Sequence, residues 1–476
     1  MFSKRLYIDG KLVSGESEHN IVNPANNEVV GTVAVAGLND VEAALNSAAR
    51  AFPIWANTSV AERVKWMGAL RDAVIKNENH LRECVHLEMG KPWASTAEDY
   101  QMLVDSLDFY AQEILRMAPE DLADHEGTHK HILTRQPIGV AAAFLAWNFP
   151  LLNVAYKIGP ALAAGCPIII KPSIKTPLSA YAVGELCADI GLPAGVVTIL
   201  AGVDREIGDA ISRSTIPRLL TLIGSTQTGM HVMRTGATSI KRYSMELGGN
   251  APAIVFADAN LDTAADIICA LKFSNAGQIC VAPNRVMVEA SVADAFTEKV
   301  VERARAVRVG FDKNADIHMG PLIDEGACKR IDALVQEAIT KGAQLLHGGG
   351  RPEGLNTGSY YAPTVLSGVD ESMTMYDEEI FGPVISLMTF TNQAEALTAA
   401  NNTDAGLTAY IFTADSERAD QCAAELDFGE IQINGVKYAI NLPHGGIRQS
   451  GIGVDCSYLA LEDYLAPKRI TRALVN

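Results

Sequence analysis

The sequence predicts an α/β protein in which parallel strands are covered by helices. From about Pro137, short apolar runs rich in β-branched residues alternate with amphipathic stretches of helical spacing. A second series of the same kind begins at Ala251. The length of 476 residues also exceeds what one hydrophobic core usually holds, so two or three domains are expected.

The elements follow in order along the chain. The first segment, 1–120, has a hairpin-like region at 7–35 and then helical spacing at 43–55, 61–77 and 98–117. The first αβ series has predicted strands at 140–145, 167–170, 196–200 and 219–223, with helices at 154–164 and 178–190 between them. The second series has strands at 251–256 and 285–289 and helices at 262–273, 292–307 and 328–341. Parallel strands need such crossovers, so both series predict βαβ units.

Two segments fall outside these series. Residues 119–136 carry mixed charge and a histidine cluster, and they are interpreted as an excursion from the domain. Residues 464–474 alternate like an edge strand, and an unpaired edge invites pairing with another subunit. His125, His129 and His131 are interpreted as parts of a solvated loop, because no cysteine or carboxylate motif accompanies them.

Composition excludes some classes of protein. The formal net charge of −17 and the pI of about 5.1 argue against nonspecific nucleic-acid binding. The N-terminus has no long apolar run after its two positive charges, and no stretch approaches the roughly 20 apolar residues of a membrane span. The eight cysteines are scattered without a Cys-x-x-Cys pair. These features predict a cytoplasmic protein with reduced thiols, no membrane or nucleic-acid partner and no metal site.

The most informative residue is Cys280, which follows the sequence Asn-Ala-Gly-Gln-Ile at 275–279. Upstream, Glu246 stands just before the Gly248-Gly249 turn. A reactive thiol together with a carboxylate that activates water is sufficient for forming and hydrolysing a thioester. A lone cysteine is more often a small buried apolar residue than a nucleophile, so the interpretation of Cys280 depends on the motifs elsewhere in the chain.

Four further fragments supply that context. Trp147-Asn148-Phe149-Pro150 follows a predicted strand and enters a helix, where an asparagine amide can donate to a developing alkoxide. The others are Lys-Pro-Ser at 171–173, Gly-Ser-Thr at 224–226 and Glu-Ile-Phe-Gly-Pro at 379–383. Lys171 ends a buried strand, and Gly224 opens a helix whose N–H groups suit a pyrophosphate. Each fragment alone is typical of a turn or a helix cap.

Taken together and in this order, the fragments with Glu246 and Cys280 resemble the aldehyde dehydrogenase superfamily, and the resemblance covers essentially the whole chain. It implies a Rossmann-type dinucleotide-binding domain at 1–118 and 138–247, which in this family lacks the Gly-x-Gly-x-x-Gly fingerprint. It further implies an α/β catalytic domain at 248–460 and a small β oligomerisation arm at 119–137 and 461–476. NAD or NADP, bound noncovalently, and a homodimer or homotetramer are expected.

The resemblance also assigns roles. Cys280 is the expected nucleophile and Glu246 the expected base, and Asn148 with the Cys280 N–H is expected to form the oxyanion hole. An aldehyde would become a carboxylic acid through a thiohemiacetal and a thioester, and we expect the site to lower the pKa of the thiol. The residues that the family would use for the cofactor are Trp147, Lys171, Ser173, Gly224, Ser225, Glu379 and Phe381.

The cofactor fragment departs from the family pattern at Ile174, where many members have a glutamate that binds the 2′-hydroxyl of NAD. Without that glutamate one reason to reject NADP is gone, and Lys175 could pair with the 2′-phosphate. The hypothesis is dual cofactor use or some preference for NADP.

The substrate pocket is expected to include Tyr156, Ser274, Ile279 and His444. Tyr156 and Ser274 stand where members acting on dicarboxylic semialdehydes usually have arginine. His444 stands where lactaldehyde and glycolaldehyde dehydrogenases have histidine, and imidazole can bind a substrate hydroxyl. A small uncharged aldehyde such as lactaldehyde or glycolaldehyde is therefore favoured.

Several alternatives stay open. The substrate could be succinic semialdehyde or an aromatic aldehyde, since some aromatic-aldehyde enzymes also carry histidine at this place. A CoA-acylating enzyme is disfavoured by Glu246, because acyl transfer to CoA needs no base that activates water. A catalytically silent structural protein on the same fold is the alternative from another class.

Overall fold

A computed structural model describes residues 1–202 and 205–474. The N-terminal part contains short strands followed by four helices and two further strands. They are β1 (Phe2–Lys4), β2 (Leu6–Ile8), β3 (Lys11–Val13), β4 (Ser17–Val22), β5 (Val29–Val35), α1 (Leu38–Asn57), α2 (Val60–Lys76), α3 (Glu78–Met89), α4 (Thr96–Arg116), β6 (Glu120–Leu122) and β7 (His129–Pro137).

Next comes the first αβ series. It consists of β8 (Val140–Phe144), α5 (Pro150–Ala164), β9 (Ile168–Lys171), α6 (Leu178–Asp189), β10 (Val197–Ile199), α7 (Arg205–Arg213), β11 (Pro217–Ile223), α8 (Thr226–Gly236) and β12 (Arg242–Glu246). The predicted strands and helices of this region are all present, with ends shifted by a few residues. Helix α5 is buried along its whole length, which explains why its sequence shows no polar face.

The second series and the C-terminal part complete the chain. They comprise β13 (Pro252–Val255), α9 (Leu261–Phe273), β14 (Arg285–Glu289), α10 (Ala293–Ala306), α11 (Glu325–Thr340), β15 (Gln344–His347), β16 (Thr364–Ser367), α12 (Thr374–Asp377), β17 (Val384–Phe390), α13 (Gln393–Asn401), β18 (Thr408–Phe412), α14 (Ser416–Glu425), β19 (Glu430–Ile433), β20 (Gly451–Ile452), α15 (Leu459–Tyr464) and β21 (Leu465–Ala473). Short 3₁₀ turns lie at Ser274–Gly277, Ala290–Val292 and Arg448–Ser450.

Two large sheets organise the molecule, which confirms the predicted α/β class. The first has the order β20-β12-β11-β8-β9-β10-β2-β3, and its five central strands are parallel. The second has the order β15-β16-β17-β14-β13-β18-β19, in which all neighbours except β15 and β16 are parallel. Each sheet lies within its own hydrophobic core. Central parallel strands are buried on both faces, so β9 is a continuous isoleucine run.

One strand crosses the expected domain boundary. Strand β20 comes from the segment assigned to the catalytic domain, yet it pairs antiparallel with β12 in the first sheet. Cys456 and Leu461 also belong to the first core. The end of the chain therefore returns to the first sheet before residue 460, and it brings the loop that precedes β20 with it.

Two small sheets accompany the two large ones, and one of these joins N-terminal strands in the order β1-β5-β4. The other, the third sheet, is antiparallel, with the order β21-β7-β6. It joins the two segments that were assigned to an arm, and residues 475–476 of that assignment lie outside the described residues. The loop prediction for the histidine cluster is wrong for His129 and His131, because both lie on β7 and pair with β21. Among the described residues, no helix is both long and apolar enough to cross a bilayer.

Candidate active site

A cleft of about 850 Å³ opens where the carboxyl ends of β8, β9, β11 and β12 meet the loop that precedes β14. In open α/β sheets ligands bind at this edge, outside the carboxyl ends of the strands. The cleft brings together all the residues that were predicted for catalysis and for the cofactor. They are Trp147, Asn148, Lys171, Ser173, Gly224, Ser225, Glu246, Cys280, Glu379 and Phe381.

A left-handed turn presents Cys280 to this cleft. Asn275 and Ala276 have φ of 47° and 53°, and Gly277 follows with φ of 71°. Left-handed backbone is costly for residues with a Cβ, so surrounding contacts must hold it. The Asn275 amide provides one, since its Nδ2 donates to the Asn148 carbonyl at 2.9 Å. The strained turn thus ties the thiol loop to the loop that carries Asn148.

Glu246 is the last residue of β12 and lies beside the end of β11 in the sheet register. The chain then turns through Gly248 and Gly249 toward the thiol. A Cβ on Gly249 would lie 2.4 Å from the Cys280 carbonyl oxygen, so a glycine is needed for this close approach. Glu246 is buried, and its Oε1 has no hydrogen-bond partner in the part of the chain that the structure describes.

His444 completes a cluster with the thiol and the carboxylate. One ligating atom from each of Glu246, Cys280 and His444 lies within 4.8 Å of the other two, and His444 Nε2 is 3.6 Å from Glu246 Oε1. On the other side of the ring, Nδ1 lies 2.7 Å from Glu430 Oε1. The sequence motifs gave no signal for Glu430, which is brought to the site by β19.

The backbone of His444 is held firmly as well. It exchanges two hydrogen bonds with Asp455, at 2.8 Å and 2.7 Å between N and O. The Asp455 carboxylate in turn forms a buried ion pair with Lys157 of α5, with N–O distances of 2.6 Å and 2.7 Å. Breaking a buried pair leaves an uncompensated charge, so this anchor resists displacement. The imidazole therefore has a fixed place over the thiol.

The surroundings of Cys280 shift its pKa in the direction opposite to the predicted one. Burial raises the pKa of Cys280, and the neighbouring Glu246 carboxylate raises it further, while His444 acts in the opposite direction. The predicted lowering of the thiol pKa is therefore wrong for this arrangement. For His444 burial opposes the charge, but its neighbours Cys280, Glu246 and Glu430 outweigh burial and hold its pKa well above the usual value.

Asn148 is the predicted oxyanion donor. It is buried in the turn between β8 and α5, and its Nδ2 donates one hydrogen bond to the Gln278 carbonyl at 3.1 Å. An amide nitrogen carries two protons, so one N–H remains for a developing alkoxide. Both Asn148 and Cys280 line the same cleft.

The cofactor side of the cleft offers a free cation and a helix N-terminus. Burial lowers the pKa of Lys171, and its Nζ has no hydrogen bond or ion pair with other described residues. Ser225 caps α8 by accepting from Thr228 N, and it faces the cleft with Gly224. A cation and backbone N–H groups suit ribose hydroxyls and phosphates, so these residues fit a dinucleotide.

At the other end of the cleft, Glu379 accepts a hydrogen bond from Gly249 N at 3.1 Å. Burial raises the pKa of this carboxyl to about 7. Phe381 packs edge-on against Trp147, with ring centroids 5.5 Å apart. Lys175 lines the cleft too, but its Nζ pairs with Asp324 Oδ2 at 2.5 Å. Asp324 is a cleft residue that sequence reasoning missed.

A second cavity of about 340 Å³ lies on the other side of His444. Tyr156 and His444 line it, as predicted, together with Glu430 and Tyr438. Ser274 and Ile279 were predicted to line the substrate pocket, but neither is among the described residues that line this cavity or the cleft. Ile279 packs instead against the first hydrophobic core.

Comparisons with known proteins agree with this geometry. The model of the aldehyde dehydrogenase family matches residues 12–470. The chain belongs to the aldehyde dehydrogenase family. The resemblance seen in the motifs is thereby confirmed, and this aldehyde dehydrogenase is an NAD(P)-dependent enzyme that oxidises aldehydes.

Two relatives show how this aldehyde dehydrogenase compares in sequence. The mitochondrial succinate-semialdehyde dehydrogenase of Arabidopsis thaliana is 37% identical over 456 residues, which are 95% of this chain and 86% of the relative. The glutarate-semialdehyde dehydrogenase of Pseudomonas aeruginosa is 35% identical over 471 residues, 98% of this chain and 97% of the relative. These matches support the family, and they do not select the lactaldehyde or glycolaldehyde subclass that the sequence favoured.

A solved structure shows the same fold. The betaine aldehyde dehydrogenase of Staphylococcus aureus in complex with NAD⁺ has a TM-score of 0.96 at 32% identity, covering 99% of this chain and 95% of that one. The aldehyde dehydrogenase-like fold is thereby confirmed. The roles of individual residues and the oligomeric state stay predictions.

Proposed function

We propose that this aldehyde dehydrogenase oxidises a small uncharged hydroxyaldehyde, such as lactaldehyde or glycolaldehyde, to the carboxylic acid. The observation that carries the proposal is the His444–Glu430 pair, with Nδ1 2.7 Å from Oε1. Glu430 fixes the ring, so Nε2 is directed toward the thiol and Glu246. With a raised pKa the ring carries a proton on Nε2, which it can donate to a substrate hydroxyl.

The covalent steps use three side chains. Cys280, which is half-buried, releases its proton to water in the cleft, and the thiolate attacks the aldehyde carbon. The resulting alkoxide accepts hydrogen bonds from the free N–H of Asn148 and from the Cys280 backbone N–H. Bound NAD(P)⁺ supplies the acceptor for the hydride that leaves this carbon. The carbonyl re-forms as a thioester on Cys280.

Glu246 acts in the second half of the reaction. Its Oε1 accepts no hydrogen bond from residues 1–202 and 205–474 and can take a proton from water. The activated water attacks the thioester carbon, the Cys280 thiolate leaves, and the carboxylic acid is released. The proposed dinucleotide site consists of Lys171, Ser173 and Ser225 at the sheet edge, with Glu379 and Phe381 at the reacting end.

A dicarboxylic semialdehyde is the second candidate, because the relatives in Arabidopsis and Pseudomonas carry that activity in their names. The charges around the second cavity, which Tyr156 and His444 line, weigh against it. Arg285 is fully buried and donates to the carbonyls of Asn250, Ala399 and Ala400. Among the described residues that line the cavity, Lys437 is the one lysine or arginine. The Glu430 carboxylate balances the protonated His444 ring, so a desolvated substrate carboxylate would have Lys437 as its remaining cationic partner in this lining.

A substrate panel tests the proposal. NAD(P)H formation is followed with lactaldehyde, glycolaldehyde, benzaldehyde, a medium alkyl aldehyde and succinic semialdehyde, using each cofactor. We expect the highest kcat/KM for a hydroxyaldehyde, and we expect His444→Phe to raise its KM more than that of the alkyl aldehyde. The matched control is Lys437→Gln. If succinic semialdehyde is strongly preferred and Lys437→Gln removes that preference, the dicarboxylic assignment is correct instead.

A further inference from the structure

The cluster of Glu246, Cys280 and His444 has the composition and the spacing of a zinc site. A tetrahedral zinc ion with bonds of about 2.0–2.3 Å places its ligand atoms about 3.3–3.8 Å apart. His444 Nε2 and Glu246 Oε1 already lie 3.6 Å apart, and the three ligating atoms lie within 4.8 Å of one another. Small side-chain rotations therefore suffice to bring all three into the coordination sphere.

The surroundings favour metal binding in two further ways. Glu246 is buried, and its Oε1 accepts no hydrogen bond from the described residues, so this oxygen is available as a ligand within the cluster. Glu430 holds His444 Nδ1 at 2.7 Å, which leaves Nε2 as the ligating atom. In protein zinc sites the ligating imidazole usually donates its other ring N–H to a carboxylate or a carbonyl oxygen. Thiolate and imidazole select zinc over magnesium and calcium.

We propose that Glu246, Cys280 and His444 bind Zn²⁺ reversibly as a three-ligand site and that zinc thereby inhibits the enzyme. The fourth position stays open to water, because Glu246 and Cys280 line the cleft and His444 lines the second cavity. On binding, the thiol proton and the imidazole proton are released to solvent, and the thiolate and the imidazole each form one bond to zinc. The ion removes the nucleophile and the base together and occupies the place of the aldehyde carbon.

The binding test uses the purified full-length chain and does not depend on turnover. Co²⁺ is the spectroscopic probe, because a cobalt–thiolate bond produces a charge-transfer absorption, and Zn²⁺ is then titrated to displace it. We expect one equivalent of Co²⁺ to produce the band and Zn²⁺ to remove it. Cys280→Ser, which is nearly isosteric, loses the band, and His444→Phe weakens Zn²⁺ binding. His318→Asn, at an exposed histidine outside the cluster, is the matched control.

A further variant addresses the role of the carboxylate behind the histidine. Glu430→Gln keeps a polar side chain of the same size, and we expect it to weaken Zn²⁺ binding by about 10- to 100-fold. Wild-type activity should fall with added Zn²⁺ in competition with the aldehyde and return with a chelator. Unchanged Zn²⁺ affinity in Cys280→Ser or in His444→Phe would overturn the proposal, as would the absence of the charge-transfer band in the wild type.

Discussion

At the scale of the residue, the site depends on one thiol whose surroundings oppose its ionisation. Burial and Glu246 both raise the pKa of Cys280, and His444 acts against them. The fraction of thiolate at rest is therefore small, and the nucleophile is exposed to water and oxidants mainly as the neutral thiol. Glu246, the neighbour that disfavours the thiolate, is also the residue proposed to take a proton from water in the later step.

Because Cys280 is the proposed nucleophile and Glu246 the proposed base, we expect the loss of Glu246 to slow thioester hydrolysis but not hydride transfer. In Glu246→Gln the amide cannot accept the proton from water, so hydride transfer still occurs once and the thioester accumulates. We expect a rapid burst of NAD(P)H of about one equivalent per active site, followed by turnover slowed by about 10²- to 10⁴-fold. Stopped-flow absorbance measures both phases. Cys280→Ser is the control and should give no burst, and a slow phase equal to that of the wild type would contradict the assignment.

At the scale of the element, strand ends and helix starts position the functional groups. Glu246 ends β12, Lys171 ends β9, and Ser225 caps α8, so the carboxyl edge of one parallel sheet gathers them. The N-terminus of α11 faces the same cleft from the second sheet. Its capping residue Asp324 accepts from Ala327 N at 2.8 Å with Oδ1 and binds Lys175 with Oδ2. A negative charge thus lies beside the lysine that was expected to receive the 2′-phosphate of NADP.

This contact predicts how cofactor preference can be changed. Asp324→Asn keeps the Oδ1 that caps α11 but removes the negative charge and frees Lys175 for the 2′-phosphate. An exposed ion pair is worth about 1 kcal/mol or less, so we expect the ratio of kcat/KM for NADP⁺ over NAD⁺ to rise by about three- to fivefold. Steady-state kinetics with both cofactors measure it. Asp312→Asn, which keeps a similar backbone contact away from the cleft, should leave the ratio unchanged; an unchanged ratio in Asp324→Asn would contradict this role.

At the scale of the whole molecule, two sheets with separate cores hold opposite parts of the site. Glu246, Asn148 and Lys171 come from the first sheet, whereas Cys280 and Glu379 come from the second series. The third sheet projects the exposed residues of β21 at its edge. An open edge of this length is a template for pairing between subunits.

The exposed edge strand β21 predicts that the protein assembles into a dimer or a tetramer. Light scattering after size exclusion should give the mass of a dimer or a tetramer. Ile470→Glu adds a charge to a side chain that is 44% exposed on β21, and we expect it to shift the mass toward that of one chain. Ile54→Glu, at an isoleucine that is 70% exposed on α1, is the control and should not change the mass. A wild-type protein that elutes with the mass of one chain would refute the prediction.

The sequence by itself determined the fold class and the order of the elements, and through the family resemblance it singled out the thiol, the carboxylate and the amide that line one cleft. These follow from local signals, because strand and helix periods and short motifs around Cys280, Glu246 and Asn148 involve neighbours in the chain. The tertiary structure alone decided the place of Glu430 behind His444, the pairing of Lys175 with Asp324, and the rise in the pKa of Cys280. Each of these depends on residues far apart in sequence that folding brings within a few ångströms, and on the loss of water around them. Ser274 and Ile279, which are local neighbours of the thiol, are not among the described residues that line the cleft or the second cavity, and their place in the substrate pocket stays a prediction.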